Sequence, residues 1–88
     1  MFYVYVLQSK RDAELYVGYT NDLKKRVNEH SAGMVGSTSP RRPFKLVYYE
    51  AYLSRDDARR REYNLKLRGQ ASTQLQRRIE TSIRQSKS

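Results

Sequence analysis

The chain predicts an α/β sandwich on a mostly antiparallel sheet, with elements in the order β-β-α-β-α-α. Three observations carry that expectation. Two stretches near the start alternate apolar and polar positions with period two, and only a short polar break separates them. A third strand-like run, Phe44 to Tyr52, follows a loop that carries both prolines. Between and after these strands, apolar residues recur at helical spacing behind capping residues.

In order, Phe2, Val4 and Val6 point one way while Tyr3, Tyr5 and Leu7 point the other, which makes the first strand. Ser9 to Ala13 is polar and turn-like. Leu15, Val17 and Tyr19 then alternate with Tyr16, Gly18 and Thr20 in a second strand. So short a break predicts an antiparallel hairpin. A register centred on Lys10 and Arg11 sets Tyr5 directly opposite Tyr16, and a one-residue slip would send the two rings to opposite faces.

Thr20 or Asn21 is expected to cap the next helix, with Asp22 in its first turn to suit the dipole. Leu23, Val27 and His30 fall on one stripe of it. Arg26 and His30, four apart, are surface neighbours at the edge of that stripe. Lys24 and Lys25 point outward, and Gly33 ends the helix. Met34 to Pro43 reads as a loop in which two prolines forbid regular structure. The third strand is apolar on both faces and is expected to be covered on both sides. Ser54 caps a second helix with Asp56 and Asp57 in its first turn; Ala58, Glu62 and Leu65 share a stripe, and Gly69 stops it. Ser72 caps a third, where Leu75, Ile79 and Ile83 form a thin apolar stripe. Residues 1–84 make one domain, and Gln85 to Ser88 are expected to fray.

Size and charge narrow the chemistry. A domain of 88 residues has an expected radius of gyration of about 12 Å and room for only a modest core. Without cysteine, disulfides and thiolate zinc sites are excluded, and an intracellular, cytoplasmic setting is expected. The single histidine, His30, excludes a multi-histidine metal cage. Nothing approaches the roughly 18 consecutive apolar residues of a membrane span, and the amino terminus lacks a signal-peptide pattern. A formal charge of +9 describes either a solvated basic face or a surface for a polyanion, with nucleic acid the favoured partner.

Phosphodiester cleavage needs an activated water, a group that neutralises phosphate charge, and help for the leaving oxygen. Tyr5 and Tyr16 offer hydroxyls that can orient or deprotonate water, provided a cation or metal lowers a phenol pKa of about 10. Packing alone also explains tyrosines in strands. Arg26 can clamp a non-bridging phosphate oxygen, or simply pair with Glu29. His30 can serve as acid, base or phosphate donor, or as a hydrogen-bonded core residue. Glu62 can hold one Mg²⁺, or pair with Arg59 and Lys66. Ser37, Thr38, Arg41 and Arg42 can line a phosphate path, as can Lys24 and Lys66, or can be plain exposed loop and helix. No Walker loop, dinucleotide-binding glycine fingerprint or zinc spacing appears.

The run Tyr3-Val4-Tyr5, Tyr16-Val17-Gly18-Tyr19-Thr20, Asp22-Leu23 to Arg26 and His30 resembles the GIY-YIG nuclease superfamily. The resemblance continues through Arg42-Pro43-Phe44, Leu46-Val47-Tyr48 and Ser54 to Ala58, up to Glu62 and Lys66. The chain looks most like the small standalone bacterial branch, which is similar to the catalytic domain of excision-repair and junction-resolving nucleases. The resemblance implies a central three-stranded antiparallel sheet flanked by helices. It also implies a DNA endonuclease using one ion, Mg²⁺ or Mn²⁺. Tyr5 and Tyr16 match the two motif tyrosines around the attacking water, and Gly18 the glycine that keeps the strand open to the site. Arg26 matches the phosphate-binding arginine, His30 the residue one turn later, and Glu62 the metal ligand.

Some positions depart from the pattern. Tyr3 replaces the first motif glycine, and Tyr19 stands, at the site's edge, where the repair nucleases carry a lysine. The late asparagine has no clear match. The resemblance thus implies structure-selective or weakly sequence-specific cleavage of DNA, branched or damaged, in repair or recombination. Recruitment by a protein partner that supplies specificity is the other expectation. The alternative is a non-catalytic nucleic-acid-binding module, or a docking subunit of a larger repair complex.

Overall fold

The computed structural model describes residues 1–67 and 69–86. Three antiparallel strands form one sheet in the order β2-β1-β3: β1 (Phe2–Ser9), β2 (Leu15–Thr20) and β3 (Phe44–Tyr52). Helix α1 (Leu23–Ser31) follows the hairpin, and α2 (Arg55–Lys66), α3 (Gln70–Arg78) and α4 (Glu80–Ser86) follow β3. The Cα radius of gyration is 12.5 Å, as the chain length leads one to expect.

The first strand lies in the middle, and its alternation therefore serves two cores. Val4 and Val6 are buried with Ala58 and Leu65 of α2, with Leu75 of α3, and with Ile79. Tyr5 and Leu7, on the other face, are 1% exposed, and His30 of α1 is packed over Tyr5. Burying each such apolar side chain contributes about 1.5–3 kcal/mol relative to leaving it in water. Covering both faces of one strand is how so short a chain assembles a continuous interior.

The hairpin register differs from the expected one. Tyr5 faces Gly18 and Tyr16 faces Leu7, so the pairing is centred half-way between Arg11 and Asp12. The turn geometry is responsible. Ser9 and Glu14 close the loop through a backbone bond of 3.0 Å, and Ala13 takes a left-handed conformation, φ 63°, to do so. Because the shift is even, Tyr5 and Tyr16 stay on one face as diagonal neighbours.

The third strand is likewise not covered on both sides. It is an edge strand with Lys45, Tyr49 and Ala51 exposed, and its apolar composition had concealed this. A bulge between Val6 and Leu7 leaves Val47 without a direct partner on β1. The face turned towards α2 carries Glu50, which binds the Arg61 guanidinium through both oxygens at 3.0 Å and accepts from Tyr48 and Tyr52. Burial works against the Glu50 charge, but Arg61 and the two phenols outweigh it and hold the carboxyl below its ordinary pKa. Burial, then Glu50, pushes the Tyr52 phenol up to about 12.

Helix starts and stops largely follow local chemistry. Asp22 itself, rather than Thr20 or Asn21, is the cap of α1, its side chain accepting from the Lys25 N–H at 3.2 Å. Thr20 supports it by accepting from the Asp22 N–H. Gly33 follows the helix at φ 76°, the left-handed value that glycine adopts freely. Ser54 caps α2 as expected. Gly69 does not stop α2, which ends at Lys66; it begins α3 in place of Ser72. The expected third helix is divided at Ile79, and α4 carries the chain through Gln85 to Ser86, so that only residues 87–88 of the expected frayed tail lie outside the described residues. One 3-10 turn, Ser39–Arg41, interrupts the proline loop.

Gly18 is set by the pairing of β1 with β2. A Cβ there would occupy the space of the Tyr5 ring carbon Cζ and its hydroxyl. Gly18→Ala should therefore cost about 1–3 kcal/mol of stability by overpacking. Gly36→Ala, where an added Cβ meets nothing, should leave the urea midpoint unchanged or slightly raised.

Candidate active site

Three elements meet at His30. The ring is fully buried, and each nitrogen has a partner. Nε2 lies 2.8 Å from the Tyr5 hydroxyl and Nδ1 lies 2.7 Å from Thr38 Oγ1. The Thr38 hydroxyl donates to the Val35 carbonyl at 3.3 Å, so it accepts from the imidazole. Nδ1 therefore carries the proton, and Nε2 accepts from Tyr5. The hydrogens run one way, from Tyr5 to His30 to Thr38 to backbone.

The loop that brings Thr38 inward is pinned to the hairpin turn. The Ser9 hydroxyl donates to the Arg41 carbonyl at 2.7 Å, and the Lys10 N–H donates to the Pro43 carbonyl at 2.8 Å. Arg41 Nε meets Asp12 Oδ2 at 3.0 Å. Thr38 is fully buried; it serves the imidazole and lines no surface path.

Tyr16 and Arg26 complete the cluster. The Tyr16 ring centroid lies 6.5 Å from that of Tyr5 and 5.2 Å from that of His30. Burial pushes the Tyr5 phenol above its ordinary pKa; the Arg26 guanidinium beside it pulls the other way, while Tyr16 and Glu62 add to the rise. Burial likewise pushes His30 below its ordinary value, with the Arg26 charge adding to the effect and Glu29 opposing it. At neutral pH both partners are uncharged. Arg26 bonds the Tyr5 hydroxyl and Glu29 Oε1, the latter at 3.3 Å, which leaves only part of its fork for another anion.

Glu62 approaches from α2. Its Oε2 pairs with Lys66 Nζ at 3.0 Å, and among the described residues no hydrogen bond or ion pair takes Oε1. No group of three or more histidine, cysteine, aspartate or glutamate side chains gathers among the described residues. A single hard carboxylate oxygen fits an ion that keeps most of its waters, as Mg²⁺ or Mn²⁺ does, rather than an ion in a closed protein cage.

Comparison with known proteins identifies the domain. The GIY-YIG catalytic domain matches residues 1–77. The chain belongs to the GIY-YIG family. A UPF0213 protein of Clostridium perfringens is 45% identical over 67 residues, spanning 75% of this chain and 71% of the relative. A UPF0213 protein of Staphylococcus haemolyticus is 45% identical over 65 residues, spanning 73% and 78%. The solution NMR structure of a UPF0213 protein from Bacillus halodurans superposes with a TM-score of 0.53 at 35% identity, covering 85% of this chain and 81% of that one.

Within this GIY-YIG domain, the hairpin and α1 bring Tyr5, Tyr16, Arg26 and His30 together, and the Gly18 backbone, expected to lie open to the site, is covered by the Tyr5 ring. Tyr19 lies on the other face of the hairpin, and the Arg59 guanidinium of α2 sits over its ring, 5.0 Å from the centroid. A cation thus stands at Tyr19 after all, supplied from another element. The surface candidates scatter. Lys24 and Ser37 are exposed, Lys66 is engaged by Glu62, and Arg41 by Asp12. Arg42 folds across Gly33 and donates to the Ser39 carbonyl at 3.0 Å. Sequence reasoning missed Lys25, Arg55 and Arg59, which line a cleft of about 480 Å³ beside Arg26. The signal was a basic pair four apart on α2, but only the packing tells which face that pair presents.

Two measurements follow. Tyr5→Phe removes the donor to a buried ring nitrogen and should cost about 1–3 kcal/mol, whereas Tyr16→Phe, whose hydroxyl has no hydrogen-bond partner among the described residues, should cost little. Because the folded imidazole has a depressed pKa, the unfolded chain binds more protons as pH falls through about 6.5. The contribution of His30 is fully present above that value, and is lost progressively until the lower folded pKa is passed. A urea series from neutral to mildly acid pH should show this loss, and His30→Gln should flatten it.

Proposed function

We propose that this chain is an endonuclease that hydrolyses phosphodiester bonds in DNA, with one Mg²⁺ or Mn²⁺ bound through Glu62. The observation that supports the reading best is the directed hydrogen-bond chain from Tyr5 through His30 to Thr38. The bond satisfies a buried phenol and, in the same geometry, places a base behind its hydroxyl.

The pKa directions decide how such a hydroxyl can act. With a phenol at or above its ordinary value near 10, the free phenolate at pH 7 costs about 4 kcal/mol or more. A resting phenolate base is therefore poorly populated. A neutral imidazole behind the phenol offers a cheaper route. As the water oxygen forms its bond to phosphorus, Tyr5 takes one proton from that water and passes its own to His30 Nε2. The bond from phosphorus to the leaving oxygen breaks, and that oxygen takes a proton from solvent. His30 returns its proton through Tyr5 to the medium. Arg26, aimed from α1, holds a non-bridging oxygen of the phosphate and offsets the charge that develops there. Glu62 would hold the divalent ion, whose charge, when bound, would further offset that of the phosphate.

The proposed substrate is branched or damaged DNA, in repair or recombination, because contacts to phosphate fix position but carry no sequence information. Recruitment by a protein partner would add choice. A binding module without activity is the second reading. It is favoured by one observation: both charged site residues, Arg26 and Glu62, already hold partners within the chain, Glu29 and Lys66.

Nicking of supercoiled and branched DNA, with and without Mg²⁺, separates the two readings. Arg26→Ala should slow cleavage by about 10²–10³. Glu62→Gln should abolish it while DNA binding is kept or slightly tightened, since a negative charge is removed. Parental cutting by Glu62→Gln in Mg²⁺ would remove the metal site; metal-independent failure of the parent to nick any substrate, with binding intact, would establish the binding module.

A further inference from the structure

Beside Arg26 lies the cleft of about 480 Å³ formed where the end of β2 meets α1 and α2. Its cations are Lys25 and Arg26 from α1 and Arg55 and Arg59 from α2; its carboxylates are Asp22 and Glu29. Both carboxylates are occupied, Asp22 by the Lys25 N–H as helix cap and Glu29 by the Arg26 guanidinium. Four positive charges thus face two negative ones. Among the described residues Arg55 and Arg59 take part in no ion pair, unlike Arg26, Arg41, Arg60, Arg61 and Arg84.

Instead, aromatic rings hold them. Phe2 and Tyr19 stack with centroids 6.4 Å apart and planes within 8°. Arg55 lies 5.7 Å from the Phe2 centroid and Arg59 5.0 Å from that of Tyr19. The stacked rings form a shelf under two neighbouring guanidinium groups. A guanidinium resting on a ring keeps its N–H donors for a ligand, and its rotamer freedom is already reduced before binding. Planar forks of this kind match the oxygens of a phosphate.

We propose that Arg55, Arg59 and Lys25 form a second phosphate-binding subsite, for a phosphodiester flanking the one held by Arg26. The subsite rests on the reading of the chain as a DNA-cutting enzyme, because Arg26 lines the same cleft and orients the strand through it. The cleft then fixes two points on one backbone, which sets the direction in which the strand crosses Tyr5. Chemistry falls on one chosen bond, without any base being read.

The test is binding of a short DNA duplex in EDTA, where no metal-dependent cutting can intervene, measured against salt concentration. For each guanidinium removed from a phosphate, the slope of log K against log salt should become shallower by about 0.9. Arg55→Gln and Arg59→Gln should each show this, the double variant should show about twice as much, and Arg59→Lys should keep the parental slope. Arg60→Gln and Arg84→Gln, whose side chains pair with Asp57 and Glu80, should also keep it. A parental slope in the double variant overturns the subsite, and so does an equal loss in Arg59→Lys, which would mark a packing role. The nuclease reading is judged separately: cleavage that depends on Arg26 with a parental slope in the double variant removes the subsite alone. Slopes that depend on Arg55 and Arg59 in a chain that never cuts remove the nuclease reading alone.

Discussion

A buried imidazole must satisfy two nitrogens without water, and in this fold that demand ties three separate parts of the chain together. Nε2 fixes α1 to the central strand through Tyr5, and Nδ1 fixes α1 to the loop through Thr38. The loop is in turn held by Ser9 and Lys10 at the hairpin end. An unpaired polar atom at such depth costs about 1–3 kcal/mol, so the loop cannot drift without exposing or stranding a ring nitrogen. The same bonds that position the phenol point its proton inward, and burial keeps it neutral. Structural and chemical roles are here one arrangement of hydrogens.

Much of this was legible in the residues. Period-two alternation placed the first two strands and a continuous apolar run placed the third, because a sheet buried on at least one face calls for such residues. Ser54 and Gly33 marked their helix ends, since an orphan N–H or a left-handed residue calls for those side chains. The ordered motif from Tyr3 to Glu62 gathered the candidate residues before any coordinate did. What failed was information held outside the local window. The hairpin register turned on Ala13 in a left-handed conformation, which no glycine or asparagine announced. The apolar faces of β3 suggested full cover, but strand order decided otherwise and put β1 in the middle. Thr38 looked like a surface hydroxyl because nothing in a loop sequence says which side chain turns inward. The break at Ile79 carries no glycine or proline at all.

The arginines show how little a net charge of +9 says about where a polyanion would sit. Some join elements of the fold, Arg61 to the half-buried Glu50 and Arg41 to Asp12 at the surface, and offer less to a ligand. Others, Arg60 and Arg84, pair along their own exposed helices, where such pairs contribute only about 0.3–0.5 kcal/mol. The guanidinium groups left over rings rather than carboxylates, Arg55 and Arg59, share a cleft with Arg26. Composition gave the sign of the partner; the pairing of individual side chains gives its place.

The central position of β1 reaches beyond packing. Its backbone is hydrogen-bonded to a strand on each side, and both of its faces are covered. Amides in such a strand exchange with solvent only when the whole molecule opens, whereas helix ends and edge strands open locally at far lower free energy. The key hydroxyl is carried by Tyr5, in the middle of this slowest-exchanging segment. Partial opening of α4 or of the β3 edge would leave it in place, and no local fluctuation can take it out of line without dissolving the domain. The Arg55 end of α2, by contrast, belongs to the class of segments that breathe. On the proposed function, a reacting group in the slowest-opening strand beside binding groups at a helix end would let a strand of DNA be admitted and released while the geometry that acts on it stays fixed.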